Sequence, residues 1–246
     1  MATPWYRQAM LAWDTESTGV NVEADRIVTA ALVWIEPGQP VRNKHHLIDC
    51  GIDIPESATK IHEITTARMQ AEGRQPEGAL EEVAADLAAA MQAGWPLVGM
   101  NSCFDFTLLD RDLRRHGLRT LEDRLGRPIA PVVDAYVLDK HVVKYRRGQG
   151  ARKLTALCTA WGVRIDGAHD AHFDALAAAR VAWMIAHKTP RIGQMRLSEL
   201  HELQVRARAE QQAELRAYFD REGKAHDGCP GEWPMLPWAR QEALTP

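Results

Sequence analysis

Apolar runs separated by turn residues dominate the first fifty positions of the chain. Residues 9–14 and 26–36 are rich in apolar side chains, and Pro37 and Gly38 close the second, β-branched run. Residues 45–50 form a third, shorter run. Runs of this length bounded by turn residues are typical of strands. The pattern therefore predicts three sequential strands arranged as a meander.

Helical spacing of apolar residues prevails in the rest of the chain. Two short apolar runs, 96–100 and 131–134, interrupt it and predict further strands. Helices are predicted where apolar residues recur every three or four positions. These segments are 76–93, 105–116, 154–161, about 170 to the break at Thr189-Pro190, and 198–222. Strands that precede and then alternate with helices favour an α/β fold, with a mixed sheet flanked by helices.

The composition fits one globular domain with an appendage. We expect a main domain over 1–190 and, over 191–246, a helical extension with a tail that contains Pro and Trp. A net charge of −3 does not indicate a general nucleic-acid binder, although a local basic groove is compatible with it. The four cysteines form no CxxC pair, which favours reduced thiols in a cytoplasmic protein over a zinc or redox site. No apolar run has the length of a membrane span and no secretory signal is evident, so no membrane partner is expected.

Acidic residues follow the predicted strands or begin the predicted helices at three points. Asp14 and Glu16 are two positions apart, so in a strand they share a face. Asp105 follows a short apolar strand, and Asp174 lies near the start of a helix. Strand ends and helix starts meet at one crevice in open α/β sheets, so we expect these sites to converge. Converging carboxylates suit Mg²⁺ or Mn²⁺, and two such ions stabilise both oxygens exchanged in phosphodiester cleavage.

A base is also needed to take a proton from water, and His169 is the candidate because its pKa lies near working pH. On a continuous helix, His169 and Asp174 would lie roughly 140° apart. We therefore expect His169 to precede the helix, on a mobile loop, with Asp174 inside it.

The three segments resemble the motifs of the DEDDh 3′→5′ exonucleases. They read Asp14-Thr-Glu16-Ser-Thr-Gly, Asn101-x-x-Phe104-Asp105 and His169-x-Ala171-x-x-Asp174, in the order and spacing of that family. By motif the chain is similar to the proofreading epsilon subunits of bacterial DNA polymerase III and their freestanding relatives. The resemblance spans about residues 8–188 and implies a ribonuclease H-like fold, with a mixed five-stranded sheet flanked by helices.

The resemblance also implies the role of each site residue. Asp14, Glu16, Asp105 and Asp174 would bind two Mg²⁺ (or Mn²⁺) ions, and His169 would be the general base. The candidate substrate-binding residues are Thr15, Ser17, Thr18, Gly19, His62, Asn101 and Phe104. Simpler interpretations remain for some of them: Asn101 can hold a turn by side-chain hydrogen bonds, Phe104 can belong to the core, and Thr18-Gly19 can be only a turn.

His62 belongs to the segment Ile61-His62-Glu63-Ile64-Thr65, which is similar to the family's IHGIT segment near the 3′-terminal nucleotide. Glu63 stands where the family usually has glycine. That departure bears on how closely the backbone can approach the nucleotide.

Three functional hypotheses follow from these residues. The first is an exonuclease that acts on single-stranded DNA 3′ ends in proofreading or repair, and the second is an exoribonuclease that trims RNA. The third is a polymerase accessory subunit that acts mainly through its C-terminal segment. The basic run 140–153 is either a solvated loop or a contact for substrate phosphates, where Tyr145 could stack on a base. The C-terminal helix is expected to pack on its own domain, and the tail with Trp233 and Trp238 to fill a groove there or to reach another protein.

Overall fold

A five-stranded mixed sheet lies at the centre of the computed structural model, which describes residues 3–164 and 171–238. Its strands are β1 (Met10–Ser17), β2 (Ile27–Ile35), β3 (Arg42–Leu47), β4 (Leu97–Gly99) and β5 (Val132–Asp134). Their spatial order is β3-β2-β1-β4-β5. β2 is antiparallel to β1 and β3, whereas β1, β4 and β5 are parallel. The predicted mixed five-stranded sheet is confirmed.

Helices flank the sheet in the described part of the chain. They are α1 (Glu56–His62), α2 (Thr66–Glu72), α3 (Pro76–Gln92), α4 (Cys103–Arg115), α5 (Leu121–Leu125), α6 (Ala135–Val142), α7 (Leu154–Trp161), α8 (Ala171–Lys188), α9 (Pro190–Gly193) and α10 (Leu197–Glu222). Local signals explain several ends: Pro76 opens α3, a Thr120–Asp123 capping box opens α5, and left-handed Gly162 ends α7. None of these described helices has the length and apolar character that a membrane crossing requires.

Alternation along β1 divides its apolar residues between two cores. Leu11 and Trp13 pack with residues of α3 and α4 on one face, and the ring centroids of Trp13 and Phe106 are 4.9 Å apart. Met10 and Ala12 pack with residues of α7 and α8 on the other face. Because successive residues of a strand face opposite sides, this parity determines which helix layer each later residue of β1 meets.

Several predicted boundaries are wrong. The third strand covers Arg42–Leu47 rather than 45–50, because it is an edge strand whose first residues are polar and largely solvent-facing. α4 begins at Cys103 rather than at Asp105, and β1 continues to Ser17 through its pairing with β2. The short helices α1, α2, α5, α6 and α9 are missing from the prediction, because four to eight residues show too little helical periodicity.

The C-terminal helix packs on the main domain, as predicted. Gln204 of α10 is fully buried beside β5, where its amide donates to the Val132 carbonyl at 2.9 Å and accepts from the Asp134 N–H at 2.7 Å. The tail then returns across α4, and Trp233 is buried in the core that lies between α4 and the sheet. Trp233 therefore occupies a groove of its own chain.

Candidate active site

The first two acids lie on the last half of β1, where Asp14 pairs with Ala31 and Glu16 with Thr29 of β2. Both side chains lie on the same face of the sheet as that of Ala12, and this face packs against α8. The strand therefore directs the two carboxylates toward the same helix, as the sequence predicted. Their position at the carboxyl end of a buried strand is typical of binding crevices in α/β sheets.

The third acid comes from α8, which packs across β1 through alanine side chains. Ala175, Ala182 and Ala186 are buried in this core, and their small size lets the helix approach the strand closely. Asp174 lies in the first described turn of α8. Carboxylate oxygens of Asp14, Glu16 and Asp174 all lie within 4.8 Å of one another. The structure thus brings together three of the four predicted metal ligands in one half-buried cluster.

The fourth acid, Asp105, approaches from the opposite layer. β4 ends at Gly99 and pairs with β1 only at Leu11 and Ala12, so the edge of β1 beyond Ala12 is not covered by β4. Asp105 lies at that uncovered edge, where its Oδ1 accepts hydrogen bonds from the Thr15 hydroxyl at 2.6 Å and from the Thr15 N–H at 3.2 Å. Thr15 therefore orients a neighbouring carboxylate, a role that the motif spacing did not reveal.

The turn before α4 depends on Asp134, which is not among the predicted site residues. Asn101 has a φ of 59°, in the left-handed region that Asn tolerates better than most residues. The backbone N–H groups of Asn101 and Ser102 each donate to a carboxylate oxygen of Asp134 at 2.9 Å. The Asn101 side chain itself is exposed, so the turn is held by these backbone donors and not by the predicted side-chain bonds. Asp134 also caps α6, and an acid directly before an apolar helical run is the signal that could have identified it.

Electrostatics in the cluster disfavour four ionised acids without a cation. Burial raises the pKa of Asp14 well above its usual range, and the charges of Asp105, Glu16 and Asp174 raise it further. Burial also raises the pKa of Asp105 to about 7, although the hydrogen bonds from Thr15 oppose that shift. Such a site would bind a cation in place of protons.

The loop after β1 is held by its own hydrogen bonds. The Ser17 hydroxyl donates to the Gly19 carbonyl at 2.7 Å. Thr18 is buried, and its hydroxyl donates to Asp25 and accepts from the N–H of Arg26. A Cβ at position 19 would lie 2.5 Å from an Asp25 oxygen, which explains the glycine. These contacts favour the turn interpretation for Thr18 and Gly19, and their contact with substrate stays a prediction.

His62 is buried at the end of α1, and Glu63 ends that helix with a φ of 61°. The ring Nδ1 accepts from the Ile64 N–H at 3.1 Å, and the ring also interacts with the backbone of Ser17 at the end of β1. Burial lowers the pKa of His62, which favours the neutral ring. The left-handed backbone at position 63 also explains why glycine is usual in the similar segment of the family.

Two other predicted contacts have structural roles in this fold. Phe104 is partly buried against the core that contains α3 and α4. In the basic run, Arg146 and Arg152 both contact Asp139 of α6, which is fully buried and also accepts from the Trp161 indole at 2.7 Å. Those two arginines therefore anchor the run to the domain. The predictions for His169 and for the start of the helix near 170 concern residues outside those described.

The chain is similar in sequence to the exonuclease family and to DNA polymerase III proteins. A sequence profile of the exonuclease family (RNase_T) matches residues 11–182. The DNA polymerase III PolC-type of Lacticaseibacillus paracasei is 24% identical over 196 residues, which are 78% of this chain and 12% of that protein. The DNA polymerase III subunit epsilon of Treponema pallidum is 27% identical over 186 residues, which are 75% of this chain and 80% of that protein.

Solved structures share its fold. E. coli Exonuclease I in complex with a dT13 oligonucleotide has a TM-score of 0.61 and 17% identity, covering 75% of this chain and 42% of that one. Exonuclease I from Methylocaldum szegediense has a TM-score of 0.62 and 19% identity, covering 86% of this chain and 46% of that one. The present chain thus spans less than half of these enzymes and a small part of the PolC protein.

Proposed function

Because the chain belongs to the exonuclease family, we propose that it removes nucleotides one at a time from the 3′ ends of single-stranded DNA. The observation that carries this proposal is the cluster of Asp14, Glu16 and Asp174, with Asp105 close enough to raise the pKa of Asp14. The relatives support DNA as the substrate: one is a DNA polymerase subunit, and one solved structure holds a dT13 oligonucleotide.

The donor set fits two Mg²⁺ or Mn²⁺ ions. Asp14, Glu16, Asp105 and Asp174 would hold them, since hard cations prefer carboxylate oxygens. Half-buried acids that raise one another's pKa also have a reason to bind cations. When bound, two such ions stabilise the attacking and the leaving oxygen of a phosphodiester.

The remaining chemistry belongs to the chain's own residues. Thr15 holds the Asp105 carboxylate in one orientation through two hydrogen bonds. His169 would accept the proton of the attacking water, as in the DEDDh subtype. His62 would lie beside the terminal nucleotide, as the similarity of its segment to the family's IHGIT segment implies. Specificity should be low, since such contacts read backbone and terminus rather than base edges.

The names of the relatives support a role beside a DNA polymerase, and we propose that this role is proofreading or repair in the cytoplasm. Any such partner would meet other surfaces than Trp233, which is buried on its own chain. A tagged full-length chain that retains a purified polymerase on a column would support this role. Full nuclease activity without such retention would leave a freestanding exonuclease.

The activity is tested with single-stranded DNA labelled at its 5′ end and incubated with pure protein and Mg²⁺ or Mn²⁺. A ladder of progressively shorter labelled products is expected. Asp14→Asn should lower the rate at least about a hundredfold, because it removes charge that would hold the ions. His169→Ala should lower it about 10²- to 10⁴-fold but keep metal binding, since it removes only the base.

Asp86→Asn is the matched control, because Asp86 pairs at the surface with Lys44 of the edge strand β3, two strands away from β1. Such pairs contribute about 0–1 kcal/mol, so its rate should match that of the unaltered chain. Parallel reactions with double-stranded DNA and with RNA decide the substrate. Faster trimming of RNA would replace the proposal by an exoribonuclease, and intact DNA and RNA together would refute both.

A further inference from the structure

The C-terminal strap, residues 229–238, lies outside the segment matched by the exonuclease profile yet packs against the helix that carries Asp105. Its central residue, Trp233, is 7% exposed, and its ring centroid lies 4.9 Å from that of His201 on α10. The far end of the strap is held by Arg111 of α4, which donates to the carbonyls of Leu236 and Pro237 at 3.3 and 2.9 Å. The strap is thus fixed to both α10 and α4.

The strap contacts α4 on both sides of Asp105. Two residues before it, the Cys103 thiol donates to the Glu232 carbonyl at 3.5 Å. Two residues after it, the Thr107 hydroxyl accepts from the Leu236 N–H at 3.0 Å and donates to the Cys103 carbonyl at 2.5 Å. The first turn of α4 is therefore held between β1, through Thr15, and the strap.

The strap also reaches the turn that precedes α4. The Trp233 indole N–H donates to Oδ2 of Asp134 at 3.4 Å. The same oxygen accepts from the Ser102 N–H at 2.9 Å, and Oδ1 accepts from the Asn101 N–H at 2.9 Å. The Asp134 carboxylate therefore links the strap to the backbone turn at Asn101 and Ser102, from which α4 begins.

We propose that the strap positions Asp105 for metal binding, with Trp233 and Thr107 as its positioning residues. The proposal rests on the metal-dependent function given above. A ligand carboxylate must be held to within about 0.5 Å, and groups behind the ligands commonly change metal affinity by 10- to 100-fold. The family profile ends at residue 182, so this chain supplies that support from a segment beyond the shared domain.

The experiment compares two tryptophans in the full-length protein. Trp233→Phe removes the indole donor to Asp134 and keeps an aromatic ring in the core. Trp5→Phe is the matched control, because Trp5 is also buried and its indole donates to the Ile192 carbonyl at 3.1 Å, away from the acids. Mn²⁺ affinity is measured by calorimetric titration without nucleic acid, alongside unfolding temperature and the Mn²⁺ dependence of kcat and KM.

Trp233→Phe should raise the half-saturating Mn²⁺ concentration about tenfold. Trp5→Phe should leave it within about twofold while losing a similar amount of thermal stability, since each variant loses one buried hydrogen bond. Equal Mn²⁺ affinity in the two variants, with both folded, would overturn the proposal.

Thr107 provides a second test should Trp233→Phe fail to fold. Thr107→Val removes the hydroxyl and keeps the shape, whereas Thr107→Ser keeps the hydroxyl. We expect weaker Mn²⁺ binding in the valine variant and near-normal binding in the serine variant. Equal Mn²⁺ affinity in the valine and serine variants would contradict the strap proposal, even if both variants keep normal nuclease activity. An unaltered chain that binds no Mn²⁺ overturns the proposed function and the strap proposal together.

Discussion

Asp105 shows how one residue can be both fixed and electrostatically unfavourable. Two hydrogen bonds from Thr15 hold its Oδ1, and burial still raises its pKa to about 7. The pKa of Asp14 on β1 is also raised, and burial is again the largest cause. Burial and mutual repulsion therefore disfavour full ionisation of these acids, and protons should compete with metal for the site.

Metal binding should strengthen as the pH rises from 6 to 8. The pKa of Asp105 is raised above the value of about 3.9 expected when unfolded. Its contribution to stability is therefore present below about pH 4 and is lost as the pH rises through about 7. In EDTA, the unfolding temperature should fall between pH 5 and 8, and Asp105→Asn should reduce that fall. Mg²⁺ should stabilise the unaltered chain more at pH 8 than at pH 6; the opposite order would contradict this account.

Glu63→Gly should stabilise the protein. A left-handed conformation costs a residue with a Cβ about 1–2 kcal/mol, and glycine loses about 0.5–1 kcal/mol more chain entropy on folding. The net gain should be about 0.5–1 kcal/mol, measured by urea unfolding. Gln70→Gly, at an exposed position inside α2, is the control and should lose about 0.5–1 kcal/mol. Equal losses of unfolding free energy in Glu63→Gly and Gln70→Gly would contradict backbone strain at position 63.

At the scale of elements, α8 determines whether the third acid, Asp174, reaches the two acids of β1. Its buried alanines let the helix lie close to β1, and Asp174 then meets Asp14 and Glu16. A larger side chain in this interface would have to displace the helix, because neither the strand nor the cores beside it can yield much.

Ala182→Leu should therefore cost about 1–3 kcal/mol of unfolding free energy and also weaken metal binding. The substitution lies two turns from Asp174, so an effect on metal affinity would report movement of the whole helix. Ala85→Leu, on the exposed face of α3, is the control and should change stability by less than about 0.5 kcal/mol. Normal metal affinity in a destabilised Ala182→Leu protein would show that the helix end moves independently.

The basic run between α6 and α7 contains arginines with two different roles. Arg146→Ala should cost about 2 kcal/mol, because it removes the bidentate partner of the fully buried Asp139. The carboxylate keeps its contacts with Arg152 and the Trp161 indole. Arg147 is exposed, and Arg147→Ala should change stability by less than about 0.5 kcal/mol. The unfolding free energy reports the loss of an anchoring contact, and KM for single-stranded DNA reports the loss of a substrate contact. Both are measured for each variant. A raised KM in Arg147→Ala alone would place substrate phosphates at this run.

For the whole molecule, local patterns predicted the sheet and the long helices, because these rest on periodicity that the sequence displays. The acids of the site could be predicted because motif order and strand parity bring them together. The bonds of Asp134 to the turn before α4, the Thr15–Asp105 bond and the strap could not be predicted, since each joins residues distant along the chain. The Thr15 hydroxyl, for example, meets a carboxylate ninety positions away. Such partners become visible only when the layers of the fold are assembled.

The same long-range contacts bear on whether 191–246 is a separate appendage. Gln204 bonds to two backbone groups of β5, and Trp233 is buried with the core under α4. We therefore predict a single thermal transition by calorimetry, with equal calorimetric and van't Hoff enthalpies. Limited proteolysis should yield no stable fragment that ends near residue 190. Removing α10 would expose the end of β5 at Asp134, whose backbone N–H bonds to Gln204 of α10. Two resolved transitions, or such a fragment that still binds Mn²⁺ normally, would show that the extension folds and acts independently of the site.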